Sequence, residues 1–269
     1  MTTLTETLPK PAARRVGPRA TLNHSLTLTW RNLVQIKHDP WELLGLSVQP
    51  IMLLLLFVYV FGGAIAGNTT DYLQFALPGI IAQNVLYSTV GTAIALNTDI
   101  AKGVFDRLRS LPIARTAPLT GRIVADSVKQ LWALGLFLGI GALLGFRVQN
   151  GVGGVLGTVA LLMVFTLSMS WLAVLVGLTA KNPERVQLLT FSLIMPLTFT
   201  SNAFVPSETM PGWLRTWAEV NPVSQLADAV RGMLIGGEVA APTTNSLLWA
   251  VGVIVVFAPL AVRAFRRGR

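Results

Sequence analysis

The chain has no cysteine among its 269 residues. Disulfides, thiol nucleophiles and cysteine-ligated metals are therefore excluded. Histidine is almost as scarce: His24 and His38 make the full set, and their spacing fits no metal motif. Charged residues make up only 12% of the chain, about half the share usual in a soluble domain. No GxxxxGK[ST] run occurs, so the chain holds no nucleotide by that motif. No serine–histidine–aspartate set can be assembled within its apolar stretches, so an intramembrane enzyme is unsupported.

What fills the sequence is apolar. Hydrophobic residues reach 52% and the mean hydropathy is +0.61. Uncharged runs recur that are long enough for the roughly 20 residues a helix needs to cross a bilayer. The expected class is an all-α integral membrane protein with six spans. They are placed near 43–66, 73–98, 123–146, 155–179, 187–204 and 246–262. Pro50 and Pro196 sit within spans and can kink them.

Lysine and arginine total 21 against 12 acidic residues, for a net charge of +9. In a soluble protein that excess would point to nucleic acid. Here topology explains it, because basic residues collect on the cytoplasmic side. With the N-terminus inside, 18 of the 21 basic residues fall on inner segments; Arg147, Arg215 and Arg231 fall outside. Both termini are thus expected in the cytoplasm and the protein in the plasma membrane. Residues 1–20, polar and basic, are expected to form a flexible cytoplasmic tail, and 266–269 a basic cytoplasmic end.

Two segments are neither span nor plain loop. Within 21–38, Leu22, Leu26, Trp30 and Leu33 recur at helical spacing, with Asn23, Thr27, Arg31 and Gln35 falling away from that face. The segment suits a helix lying on the inner membrane surface; the alternative is a solvent helix packed on a soluble domain. Within 207–236, Pro211 can open a short helix carrying Trp213, Leu214 and Trp217, and Asn221-Pro222 ends it. A second short helix follows, aligning Leu226, Val230 and Leu234. Two readings stay open: a re-entrant hairpin dipping into the outer leaflet, or an outer loop resting tryptophans at the interface.

A transporter driven by protons or sodium usually carries ionisable residues inside its spans, and the span cores have none. Asp126 and Lys129, near the inner end of span three, can pair at i,i+3 and read as a cytoplasmic anchor. The spans keep small neutral groups. Gln83, Asn84, Thr198, Ser201 and Asn202 are candidates for a cargo path, although such residues also serve helix packing. A neutral lining suits hydrophobic or amphipathic cargo better than sugars or ions.

One stretch between spans two and three stands out: "GVFDRLRSLPIAR", residues 103–115. As a short helix it lines Val104, Leu108 and Leu111 along one face, with Phe105 beside Leu108. Asp106, Arg107, Arg109 and Ser110 form a charged rim, and Pro112 ends the helix. An ordinary positive-inside loop accounts for the arginines. It does not account for exposed Phe105 and Leu108, whereas an apolar ridge rimmed by charge is the form of a docking site.

This stretch, followed by "LTGRIVAD", resembles the loop after the second span of ABC-2 type permeases. "LLLLFVYVFGGAI", "FVPSETMPGWL" and "NPVSQLADAVRGML" resemble the daunorubicin/doxorubicin-resistance branch of that family, in order, from about residue 25 onward. The resemblance implies an ABC-2 transmembrane domain over 21–265, with six spans, an inner amphipathic helix and outer re-entrant helices before span six. It implies a dimer of permeases and a separate ATP-binding subunit, which would hold ATP and magnesium. No cofactor is then expected in this chain.

By the same resemblance Val104, Phe105, Asp106, Arg107, Leu108, Arg109, Leu111 and Pro112 form the coupling helix that receives the motion of the ATP-binding subunit. Many relatives carry glutamate near this helix, whereas this chain has Asp106 with Lys102 upstream. The expected function is the membrane subunit of an ATP-driven exporter of hydrophobic drugs or antibiotics. The alternatives are a lipid or glycan export permease for envelope building, and a non-transporting membrane scaffold.

Overall fold

A computed structural model of the protein describes residue 48, residues 50–104 and residues 117–267; of 117–125 and 266–267 it describes the backbone alone. The described residues are helical throughout, with short turns and no strand. Helix α1 covers Pro50–Ala66, α2 Thr69–Ala101, α3 Ala117–Leu143, α4 Gly151–Thr179 and α5 Pro183–Phe199. The short helices α6 (Gly212–Val220) and α7 (Pro222–Ile235) precede α8 (Ala240–Arg267). The "GVFDRLRSLPIAR" helix beyond Val104 and the 21–38 helix lie outside the described residues.

Helix α2 is the centre of the bundle and packs against α1, α3, α4, α5 and α7. Its sequence explains this position. Apolar and small residues occur around its whole circumference, and a helix without a polar face must be covered on all sides. Tyr72, Leu73, Leu77, Ile80, Ile81, Val85 and Leu96 are all fully or almost fully buried. Helix α4 is similarly apolar and lies between α2 and α8.

The outer members have one covered stripe each. On α5, Val186, Thr190, Ile194 and Thr198 are buried at four-residue spacing, while Leu188, Leu189, Met195 and Phe199 are exposed. On α8, Ala250 and Ala261 are buried while Leu248, Val251, Val255 and Val256 are exposed. Surfaces this apolar do not face water.

Three described helices, α2, α4 and α8, are long and apolar enough to cross a membrane; α1 is apolar but shorter over its described length. The span expected over 187–204 ends early. Helix α5 stops at Phe199, and residues 200–205 make a turn that leads the chain toward α6. Pro196 lies in the last turn of α5, where the helix closes through Thr200 N–H bonded to the Pro196 carbonyl at 3.0 Å. Helix α1 carries one widened turn at Phe57–Phe61, and Phe57 stacks on Phe204 with centroids 4.2 Å apart.

Candidate functional site

The bundle has two ends that differ in construction. At one end the α6–α7 elbow is fastened to the long helices. Asn221 forms the elbow. Its backbone is extended, its Oδ1 accepts the Val223 N–H at 2.8 Å, and Pro222 occupies the first helical position of α7. Its Nδ2 donates to the Leu197 carbonyl at 2.8 Å, so a single fully buried side chain caps α7 and ties it to α5.

Helix α7 is buried along one side, with Val223, Leu226, Ala227, Val230 and Leu234 at 0% exposure. Its far end is satisfied by the start of α4: Gln149 N–H donates to the Leu234 carbonyl at 2.8 Å and Asn150 Nδ2 to the Gly232 carbonyl at 2.9 Å. Helix α7 has 14 residues, about 21 Å of length, which is less than the ~30 Å of a hydrocarbon core. It is too short to cross yet is packed like a core helix. Helix α6 differs, with Trp213 and Trp217 exposed and Trp217 Nε1 donating to Thr200 Oγ1 at 2.8 Å.

One polar node lies inside this elbow. Asn202 Nδ2 donates to both carboxylate oxygens of Asp228, at 3.0 and 2.8 Å. Arg231 Nη1 donates to Asp228 Oδ1. Its Nε donates to the Phe75 carbonyl at 3.2 Å and its Nη2 to the Asn202 carbonyl at 3.3 Å. The guanidinium also lies over the Phe75 ring, 4.0 Å from the centroid. Three separate parts of the chain, α2, the 200–205 turn and α7, meet on one ion pair.

The arginine side chain is 14% exposed and the aspartate 35%. Burial pushes the Asp228 carboxyl above its ordinary value, while Arg231 and the Asn202 amide pull it back. Burial also lowers the Arg231 guanidinium, against the pull of Asp228. Sequence alone places Arg231 among the outer-loop basic residues and does not single out Asp228. Their i,i+3 spacing on a short helix was the available signal; nothing local in sequence marks Phe75 as the third member.

At the opposite end polar side chains join the long helices directly. Thr92 Oγ1 on α2 donates to Asp126 Oδ2 on α3 at 2.9 Å. Asp126 is 8% exposed and is buried in the α2–α3 contact. Asn97 Nδ2 on α2 donates to the Gly177 and Ala180 carbonyls at the end of α4, at 3.0 and 2.8 Å. These are carbonyls of the last turn, which have no partner within their own helix.

Of the expected cargo-path residues, Gln83, Thr198, Ser201 and Asn202 are buried and Asn84 is half-buried. Thr198 and Ser201 are buried, and their hydroxyls bond the Ile194 and Thr198 carbonyls of their own segment. Asn202 is committed to Asp228. Gln83 and half-buried Asn84 lie about one turn along α2 from Gly79, which touches Ala203. Gln83 Oε1 is buried without a hydrogen-bond partner among the described residues. Val104 is helical and half-buried; Phe105, Asp106, Arg107, Leu108, Arg109, Leu111 and Pro112 lie outside the described residues, as do Leu22, Leu26, Trp30 and Leu33. No cluster able to hold a metal occurs among the described residues.

An open cleft of about 350 Å³ runs between the elbow and α8, lined by Glu219, Val220, Gln225, Asn245, Leu248 and Trp249. Its polar groups already bond one another: Asn245 Nδ2 to Gln225 Oε1 at 3.0 Å, and Trp249 Nε1 to the Val220 carbonyl at 3.0 Å. It fastens α8 to the elbow.

Residues 24–235 match the family model described as ABC-2 type transporter. The chain is 42% identical over 254 residues to the daunorubicin resistance ABC transporter permease protein DrrB1 of Streptomyces coeruleorubidus, covering 94% of this chain and 88% of that one. It is 30% identical over 248 residues to the chain named "Probable doxorubicin resistance ABC transporter permease protein DrrC" of Mycobacterium tuberculosis, covering 90% and 88%. The chain belongs to the ABC-2 type transporter family. As an ABC-2 permease it is a membrane protein, and the matched region takes in both ends of the bundle, from the Thr92–Asp126 contact to the Asn202–Asp228–Arg231 node.

Proposed function

We propose that this ABC-2 permease is the membrane subunit of an ATP-driven exporter that moves hydrophobic or amphipathic compounds, drugs and antibiotics among them, out across the plasma membrane. The observation that carries the reading is the match along nearly the whole chain to a daunorubicin resistance permease. ATP is bound and hydrolysed in a separate subunit, with its magnesium; the lack of a phosphate-cradling loop supports this division. The permease acts as a homodimer with six spans per copy and both termini in the cytoplasm. The apolar exposed faces of α5 and α8 suit lipid or a second copy.

In this orientation the elbow faces outward and the Asn97 end faces the cytoplasm. Val104–Pro112 is the coupling helix, and the 21–38 helix, on the inner surface, flanks the same ATP-binding subunit. Helices α6 and α7 are the outer re-entrant pair. The packing of α7 among the long helices supports that assignment over a loose surface loop. Gln83, Asn84, Thr198, Ser201 and Asn202 line the cargo path; the Gln83 oxygen, which has no hydrogen-bond partner among the described residues, is a ready acceptor within it.

Copurification with candidate ATP-binding subunits, followed by ATP hydrolysis in lipid vesicles, tests the reading. A cargo that stimulates hydrolysis and accumulates on the far side supports it. Failure of every ATP-binding subunit encoded by the same organism to copurify with the permease would overturn it.

A further inference from the structure

The cytoplasmic ends of α2 and α4 are joined by more than apolar contact. Asn97, 5% exposed, donates both of its amide hydrogens to α4, one to the Gly177 carbonyl and one to the Ala180 carbonyl. Opposite it the backbones approach so closely that a Cβ on Gly177 would stand 2.9 Å from the Ala93 carbonyl oxygen and 3.2 Å from the Leu96 side chain. Ala93 and Ala173 complete the contact from either helix, and Val186 of α5 seals it from below, all three at 0% exposure. Small residues allow the approach, and the amide satisfies carbonyls that the end of α4 leaves open.

The consequence is mechanical. Helix α2 leads into Val104 and the connection after it, and α4 leads through Lys181 and Asn182 into α5. A packed contact with no slack has discrete arrangements rather than a continuous range, so a push on one helix end is felt by the other. We propose that Asn97 is a positioning residue that pins α2 and α4 into a single lever, so that both cytoplasmic connections move together when the ATP-binding subunit moves. The inference rests on the ABC-2 exporter reading above. It adds the connection through Lys181 to the structure that carries motion inward, and names the side chain that links it.

Two variants test it, in vesicles containing the permease and its ATP-binding subunit. Asn97→Leu removes both donors while keeping bulk. The complex is expected to assemble and hydrolyse ATP, while cargo moved per ATP falls about tenfold, the factor corresponding to two hydrogen bonds of ordinary strength. The second variant replaces Ala93 and Ala173 with cysteine in this cysteine-free chain and joins the two directly as a disulfide with a small oxidant, because both positions are buried.

A lever predicts that the linked permease transports as the unlinked one does, and that linking restores coupling to Asn97→Leu. Loss of transport on linking shows that α2 and α4 must separate, and overturns the proposal. So does an Asn97→Leu permease with unchanged cargo per ATP. Should Asn97→Leu fail to insert, the linked parent still decides. If the exporter reading itself fails, the parent shows no ATP-dependent transport at all, which is distinct from a transporting parent that linking arrests.

Discussion

Arg231 lies over the ring of Phe75, its guanidinium carbon 4.0 Å from the centroid, and donates to the Phe75 carbonyl at 3.2 Å. The two residues are 156 positions apart. The contact fixes α7 to α2, and Asp228 and Asn202 complete it.

Arg231→Met is expected to destabilise the permease by about 2–3 kcal/mol, no more than the lower bound for breaking a fully buried pair, because Asp228 keeps some solvent contact. Asp228→Asn should cost less, since Arg231 retains its two backbone acceptors. Thermal unfolding in mild detergent gives both values. The reverse order would show that the aspartate, not the arginine, holds the node together.

Gly79 tests the same junction from the side of α2. A Cβ there would stand 2.1 Å from the Ala203 carbonyl oxygen, while one on Gly91 of the same helix meets none of the described residues within 4 Å. Gly79→Ala must push the 200–205 turn away and should cost about 1–3 kcal/mol. Gly91→Ala should be neutral or slightly stabilising, because alanine is the better helix former. Equal melting temperatures for the two variants would mean that the turn yields freely.

Topology can be read with thiol reagents because the chain has no cysteine. Asn68 is a poor probe site: its side chain accepts the Asp71 N–H and caps α2. Thr70 is exposed beside it. Thr70→Cys should react with an impermeant reagent in whole cells, and Lys181→Cys only after the membrane is opened, as the distribution of basic residues requires. Labelling of Lys181→Cys from outside would invert the assignment.

Much of the fold was legible because hydrophobic pattern and helix-breaking residues act locally. The alignment of Leu226, Val230 and Leu234 marked the face of α7 that is fully buried, and Asn221-Pro222 marked the elbow. Helices α2 and α4 contain the spans expected over 73–98 and 155–179. The end of α5 was misplaced because residues 200–204 are as uncharged as a span, and no local signal distinguishes a buried turn from a helix. The sites were harder for the same reason. Asn97, Gly177 and Ala180 are unremarkable in sequence and meaningful only as neighbours. The Thr92 contact of Asp126 was equally hidden, because Thr92 lies on another helix.

The coupling assignment has its own test in Leu108. If Phe105 and Leu108 form the ridge that meets the ATP-binding subunit, Leu108→Asp should leave the isolated permease intact, since a side chain facing water loses little by becoming charged. In the complex the same carboxylate would be buried without a partner, at a cost of several kcal/mol. Arg107→Ala should do less, because rim charges act mainly on association rate and salt dependence. The expected result for Leu108→Asp is normal membrane insertion, recovery of the ATP-binding subunit reduced at least about tenfold, and loss of efflux. A variant that keeps both its partner and its transport would leave the 103–115 stretch as a topology signal alone. The contact with the ATP-binding subunit would then have to be sought at the connection through Lys181, which Asn97 holds against the end of α2.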